Sequence, residues 1–251
     1  MTFPHIMVAP NGARRQKSDH PALPISLNEI IATARDCQVA GASSLHLHVR
    51  DDEGRHSLDP ARYAEALDAL AAIEGLAVQI TTESAGLYSP EEQYECLARL
   101  RPGWASVSVR EINRDPDIAP RVYSLCADEG IRVQHIAYDG FDLELLSRWR
   151  SEGIVRKTQD EVIVVLGAYA PPRPGHPQDL AGLLPLIGSL RFGLCAFGPM
   201  EQSCLAAAAR SGAEILRVGF ENNLTAPDGT SWTDNAAAVT SLRNELEWRA
   251  A

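Results

Sequence analysis

The chain has 251 residues, 45% hydrophobic and 22% charged, with a formal net charge of −10. That composition is globular, and the length suits two small domains or one large α/β barrel. An acidic chain without a Lys/Arg block excludes nucleic acid as the main partner, because phosphate neutralisation needs a basic surface. No apolar run approaches bilayer length, no basic region precedes the N-terminal apolar stretch, and the five cysteines are odd in number and scattered. No membrane span, secretory signal or disulfide frame is therefore expected, and the cytoplasm is the expected compartment.

Short apolar, β-branched runs predict strands at Ile6–Ala9, Ser44–Val49, Ala77–Thr81, Ala105–Val109, Ile131–Ile136, Val162–Leu166, Phe192–Ala196 and Glu214–Val218. Longer segments of helical pattern separate them, the signature of a parallel sheet built from strand–helix units. Ser26 with Glu29 three residues on, and Ser89 followed by Pro90, mark helix starts; Gly41, Gly75, Gly130, Gly153 and Gly212 mark helix ends. Eight such units over this length predict one α/β domain, residues 1–251, folded as a (β/α)8 TIM barrel. The rival is an open doubly wound sheet, but no G-x-G-x-x-G follows the first strand. AYAPPRPGHPQD, after the sixth strand, reads as an active-site loop or a subunit contact. In a barrel the chemistry belongs on the loops that follow the strands.

The strongest chemical signal is LHLHVRDD at the end of the second strand. Strand alternation puts His46 and His48 on one face, where two imidazoles can converge on a divalent cation. A lone histidine on an apolar face is usually a core residue; two in this register point to a metal. A third ligand is then needed, and Glu221, just past the eighth strand, can face the second strand across the mouth of a closed barrel. Its bland reading is an exposed loop carboxylate. Arg217, inside the eighth strand, is costly to bury unless it meets a carboxylate or an anionic ligand. Thr81, Thr82, Glu83 and Ser84 end the third strand; alternation puts Ser106, Ser108 and Arg110 on one face of the fourth; His135 and Tyr138 end the fifth. His5, His20, His56 and His176 have no matching partners and are assigned no role. Cys195 and Cys204 read as small buried hydrophobes.

The ordered combination APNGA, LPIS, HLHVRD, ITT and RVGFENN, spread from about Val8 to Leu242, resembles the β-keto acid cleavage enzyme family, whose best-known type acts on 3-keto-5-aminohexanoate. The resemblance implies a zinc-dependent barrel, usually a homo-oligomer, that condenses a small β-keto acid with acetyl-CoA and cleaves the product to acetoacetate and a new acyl-CoA. By position it makes His46, His48 and Glu221 the Zn2+ ligands and Arg217 the catalytic arginine. Thr82, Ser84 and Ser108 fall on hydroxyls that contact substrate.

The chain also departs from the family pattern. Asn222 stands where the family has the aspartate that works as general base, so at this position only substrate contact is expected. Arg14 stands where the family has a glutamate in the first loop. GPMEQ, residues 198–202, replaces G-R-H-Q and removes a basic pair, and the chain is shorter around strands six and seven. Glu83 is the expected replacement base, with Glu111 second, and Arg14 and Arg110 are expected to hold an anionic substrate tail. Two other readings stay open: an aldol-type cleavage of a keto acid without CoA, and a metal-binding paralogue without turnover.

Overall fold

Each β-branched run becomes a strand of one closed, all-parallel barrel in the computed structural model, which describes residues 4–169 and 171–250. The strands are β1 (His5–Val8), β2 (Ser44–Leu47), β3 (Ala77–Thr81), β4 (Trp104–Ser108), β5 (Arg132–Ala137), β6 (Glu161–Leu166), β7 (Arg191–Ala196) and β8 (Ile215–Val218). Each pairs with its neighbours in sequence, and β1 closes the ring by pairing with β8, Val8 opposite Val218. The expected strands agree to within one residue at each end except at the second. There the strand ends at Leu47, and Val49–Arg50 leaves the barrel to form a small antiparallel ribbon with His56–Ser57. The fourth strand ends at Ser108, where a one-turn helix, Val109–Ile112, begins. Arg110 is therefore helical and does not continue the face of Ser106 and Ser108.

The outer layer comprises α1 (Leu27–Ala40), α2 (Pro60–Leu70), α3 (Pro90–Leu100), α4 (Ile118–Asp128), α5 (Gly140–Ser151), α6 (Glu201–Arg210) and α7 (Asn235–Ala250). Both helix starts read from the sequence are present: Ser26 caps α1 with Glu29 bonding back, and Ser89, followed by Pro90, caps α3 in a second capping box completed by Glu92. The unit after β6 has a 3-10 segment, Pro177–Gly182, and a single turn, Leu184–Ile187, in place of a full helix. This is where the chain looks short against the family pattern. Among the described residues no helix is long and apolar enough to cross a membrane.

Parallel strands covered on both faces bury almost everything they carry, so polar residues inside the barrel need partners there. Met7, Trp104 and Ile215 cluster apart from the main core, and a second small cluster comprises Ile136, Ile163, Val165 and Cys195. Gln79 and Gln134 are fully buried and bond each other, Gln79 Nε2 donating to Gln134 Oε1 at 3.1 Å. At the N-terminal rim Arg132 pairs with Glu161 at 2.7 Å, the kind of contact that serves stability at that end of a barrel. Near the other rim Tyr63, on α2, donates its hydroxyl to Thr81 O at 2.9 Å and so ties the helix layer to the end of β3. Tyr63→Phe is expected to lower stability by about 1 kcal/mol, measured by urea unfolding. An unchanged midpoint would show that the tie contributes nothing.

Candidate metal centre and active site

Ring closure sets β8, β1 and β2 side by side, so residues at the ends of β8 and β2 meet at one edge of the mouth. His46 lies level with Gln79 in the β2–β3 register, His48 follows one residue after β2 ends, and Glu221 sits in the turn after β8. All three are buried, and together they could hold a metal ion. His46 Nε2 and His48 Nε2 are 3.2 Å apart, and each lies 3.6 Å from a Glu221 carboxylate oxygen. Ligands about 2.0–2.1 Å from a tetrahedral centre are separated by about 3.4 Å, so the triad already has the spacing such an ion requires. Glu221 Oε2 is buried without a hydrogen-bond partner, an acceptor that a cation would satisfy.

The neighbours select the ligand tautomer. Gln79 Nε2 is spent on Gln134, which turns Gln79 Oε1 toward His46 Nδ1 at 2.7 Å. Nδ1 therefore carries the proton and Nε2 presents its lone pair to the triad, as a metal-bound imidazole requires. Arg217 Nη1 also reaches this lone pair at 3.1 Å, and its Nη2 donates to Cys195 Sγ at 3.1 Å. Burial, reinforced by Arg217, holds His46 neutral, its pKa pushed down to about 3. Burial alone would raise Glu221, but Arg217 and the two imidazoles outweigh it and hold the carboxylate well below its ordinary range.

Two motifs that looked separate in sequence are stitched together at this rim. Asn11 of APNGA donates to His48 O at 3.2 Å and to Pro24 O of LPIS at 3.1 Å. Arg50, buried beside them, donates to Gly12 O at 2.6 Å and Arg15 O at 2.9 Å. Gly12 must be glycine: its φ is +63°, and a Cβ there would lie 2.5 Å from Glu221 Cγ. Gly219, with φ +137°, has the same constraint, since a Cβ would come within 2.6 Å of Ala9 O. Behind the turn, Glu201 accepts from Gly219 N at 3.1 Å, from Asn222 Nδ2 at 3.2 Å and from Asn223 Nδ2 at 3.5 Å, bracketing Glu221 on both sides. Burial dominates this carboxyl and pushes its pKa up to about 8, against the three donors that favour the anion.

Glu83 comes to the triad from the end of β3, its Oε2 3.8 Å from His48 Nε2, with 22% of the side chain exposed at the mouth. Burial, with Glu221 and Glu111 adding repulsion and His48 opposing, raises its pKa to about 7. Arg14 is exposed at the same mouth, donating to Ala85 O at 3.0 Å and facing the Tyr169 ring at 5.7 Å. The hydroxyls are less free than the sequence suggests. Thr82 Oγ1 donates to Ser106 O, and Ser84 Oγ donates to Glu111 Oε1 at 2.6 Å, which commits both Ser84 and Glu111 to each other. Ser108 Oγ is buried without a partner. The guanidinium of Arg110 is clamped by Asp139 at 2.6 Å and Asp142 at 2.7 Å, so its charge is already balanced. His135 bonds Gln159 O and packs on Tyr123 of α4, on the helix side of β5, away from the mouth.

His56, passed over in sequence, packs 5.1 Å from the His48 ring, and its Nε2 bonds Glu83 O at 2.6 Å. It pins the backbone of the residue that overlooks the triad. Gln79 had a readable signal, a polar side chain in an otherwise apolar strand level with His46. Glu201 and His56 had none, because only the packed fold brings them near.

Metal-loaded protein is expected to hold one divalent ion that His46→Ala loses. At a thousandfold excess over its dissociation constant the ion stabilises the fold by about 4 kcal/mol, read as a melting shift that the variant lacks. Gly12→Ala is expected to weaken metal binding at least tenfold by displacing Glu221. Unaltered metal affinity in that variant, measured by competition with a chromogenic chelator, would refute the close-approach argument.

Residues 5–248 match the beta-keto acid cleavage enzyme family. A 3-keto-5-aminohexanoate cleavage enzyme of Acetoanaerobium sticklandii is 26% identical over 240 residues, 91% of this chain and 86% of its own. A 3-oxoadipate:acetyl-CoA acetyltransferase of Cupriavidus necator is 33% identical over 115 residues, 45% of this chain and 40% of its own. Among solved structures, a ternary complex of ObcA with C4-CoA adduct and oxalate superposes with a TM-score of 0.69 at 16% identity. That match covers 92% of this chain, which spans 65% of that protein's length, and it speaks to the fold alone. The chain belongs to the beta-keto acid cleavage enzyme family.

Proposed function

We propose that the protein converts a small β-keto acid and acetyl-CoA into acetoacetate and a new acyl-CoA, with Zn2+ as its metal. The observation that carries this reading is the preset triad of His46, His48 and Glu221 with Glu83 beside it at the mouth. Two imidazoles and one carboxylate at tetrahedral spacing suit zinc and leave a position for substrate. The relatives' activities support the substrate class, since their names pair keto acids with cleavage or with acetyl-CoA.

When bound, the ion supplies Lewis acidity toward the keto oxygen of the substrate. Glu83 is the base: its carboxylate takes the proton from the carbon between the keto and carboxyl groups. The resulting carbanion attacks the acetyl carbonyl and the CoA thiolate leaves. The thiolate then adds to the former keto carbon, and the bond between it and the attacking carbon breaks, giving the acyl-CoA and the acetoacetate carbanion, to which Glu83 returns the proton. A carboxyl poised near neutrality can both accept and return a proton at working pH. Arg217 steadies negative charge as it develops next to the triad, from a buried site that needs little reorganisation. Arg14 draws the substrate's negative charge to the mouth, while Asn222 serves as a hydrogen-bonding contact. A homo-oligomer belongs to the same reading.

Glu83→Gln is expected to lower turnover by about 10²–10⁴-fold with metal content unchanged, followed by acyl-CoA formation across a panel of β-keto acids. Full turnover in that variant with intact metal would remove Glu83 from the mechanism. Product formation without acetyl-CoA would replace the proposed reaction with an aldol-type cleavage.

A further inference from the structure

We propose that Asn222, oriented by Glu201, sets the choice of substrate: its side-chain oxygen takes a hydrogen bond from a hydroxyl on the tail of the β-keto acid. This deepens the proposed function and rests on it.

Every other polar atom of Asn222 is already committed. Its backbone N–H donates to Gly219 O at 2.8 Å, and its carbonyl accepts from Gly198 N at 3.2 Å. Nδ2 donates to Arg217 O at 3.0 Å and to Glu201 Oε1 at 3.2 Å, which uses both of its hydrogens. Turning the amide over would set Oδ1 against Arg217 O, a backbone carbonyl that can only accept, so the orientation is fixed. Oδ1 is left as a buried acceptor without a partner, on a residue only 1% exposed.

Glu201 holds the amide in this sense. The carboxyl is fully buried, and besides Asn222 it accepts from Gly219 N at 3.1 Å and Asn223 Nδ2 at 3.5 Å. All its partners are donors, and all belong to the turn after β8. Its burial is therefore spent on the geometry of that turn, and through it on what Asn222 presents.

The cavity that Asn222 borders selects the donor. It measures about 440 Å³, is walled mainly by Pro172, Pro174, Pro199, Tyr169 and Phe197, and also reaches Arg15 and Arg173. It adjoins the small space over the triad, with which it shares Arg15, Tyr169 and Phe197. A substrate whose keto group reaches the triad therefore runs its tail past Asn222. Walls of proline and aromatic rings suit a carbon chain. Neither arginine has a carboxylate within ion-pair distance among the described residues, so an ammonium tail is repelled. A carboxylate tail brings only lone pairs to Oδ1, and an unsubstituted tail leaves that oxygen dry and unpaired. A hydroxyl supplies the missing donor without adding charge. The carboxylate common to all β-keto acids remains for Arg15, whose Nε lies 3.5 Å from Glu221 O at the reacting end.

The test compares kcat/KM for acyl-CoA formation from 3-oxohexanoate and from its hydroxylated derivatives, with 3-keto-5-aminohexanoate and 3-oxoadipate as charged probes. Zinc-loaded wild type is expected to favour at least one hydroxylated acid over 3-oxohexanoate by about a hundredfold, with both charged acids behind it. Asn222→Leu, close in size but without the acceptor, is expected to abolish that preference, with zinc content and the KM for acetyl-CoA unchanged. Glu201→Gln, which keeps an acceptor oxygen for the Asn222 amide, is expected to retain the preference, and Glu201→Met to lose it. Equal losses in these two would overturn the orienting role of Glu201. A wild type that forms acyl-CoA but does not distinguish hydroxylated acids, or a preference that survives Asn222→Leu, would overturn this inference alone. A KM for acetyl-CoA raised by Asn222→Leu with every acid would overturn it in favour of the thioester as the partner of Oδ1. Wild type that forms no acyl-CoA from any of these acids would overturn the proposed function as well.

Discussion

One buried electrostatic cluster organises the mouth of this barrel: a carboxylate, an arginine and two imidazoles removed from water within a few ångströms of one another. Glu221 lies 3.7 Å from Arg217 and 3.6 Å from each imidazole, and no member is more than marginally exposed. Burying these groups singly would cost several kcal/mol each. Together they compensate: the arginine keeps Glu221 ionised, burial reinforced by the arginine keeps His46 neutral, and Gln79, locked by Gln134, turns the His46 lone pair inward. A cation at the centre would complete the set, giving the unpartnered Glu221 oxygen a ligand and the facing lone pairs a common target.

Much of the surrounding structure serves the placement of Glu221. Its turn is tied to Glu201 from behind and packed against Gly12 in front, and its backbone N–H bonds Ala9 O. The pieces of the APNGA, LPIS and HLHVRD segments owe their order to this purpose, because Asn11 and Arg50 bind them through backbone carbonyls. Such loops would otherwise carry unsatisfied polar groups at the edge of a buried site.

The departures from the family pattern also form a connected set once folded. Asn222 cannot take a proton, but the buried carboxyl of Glu201 accepts from its amide N–H and orients it so that an acceptor is left over. Glu83 stands beside His48 with its pKa near neutrality, and His56 holds its backbone in place. Carboxylates have thus been lost from one position beside the triad and retained at others around it.

The strands, the caps and the barrel were legible in the sequence because each rests on local physics: alternation, capping chemistry and the size of a repeating unit. His46 and His48 were legible for the same reason, two residues apart on one strand. Glu221 and Arg217 could be placed because the topology of a closed ring brings its last strand beside its first. What the sequence could not determine is which polar groups remain free. Arg110 looked available until Asp139 and Asp142 closed on it, Ser84 and Glu111 spent their capacity on each other, and His135 turned to the helix side. Glu201 and His56 acquired their places only when loops far apart in the chain packed together. The residue types and their spacing were enough to nominate His46, His48 and Glu221, a group that could hold a metal ion, whereas charge balance and hydrogen-bond satisfaction depend on neighbours that only the tertiary structure supplies.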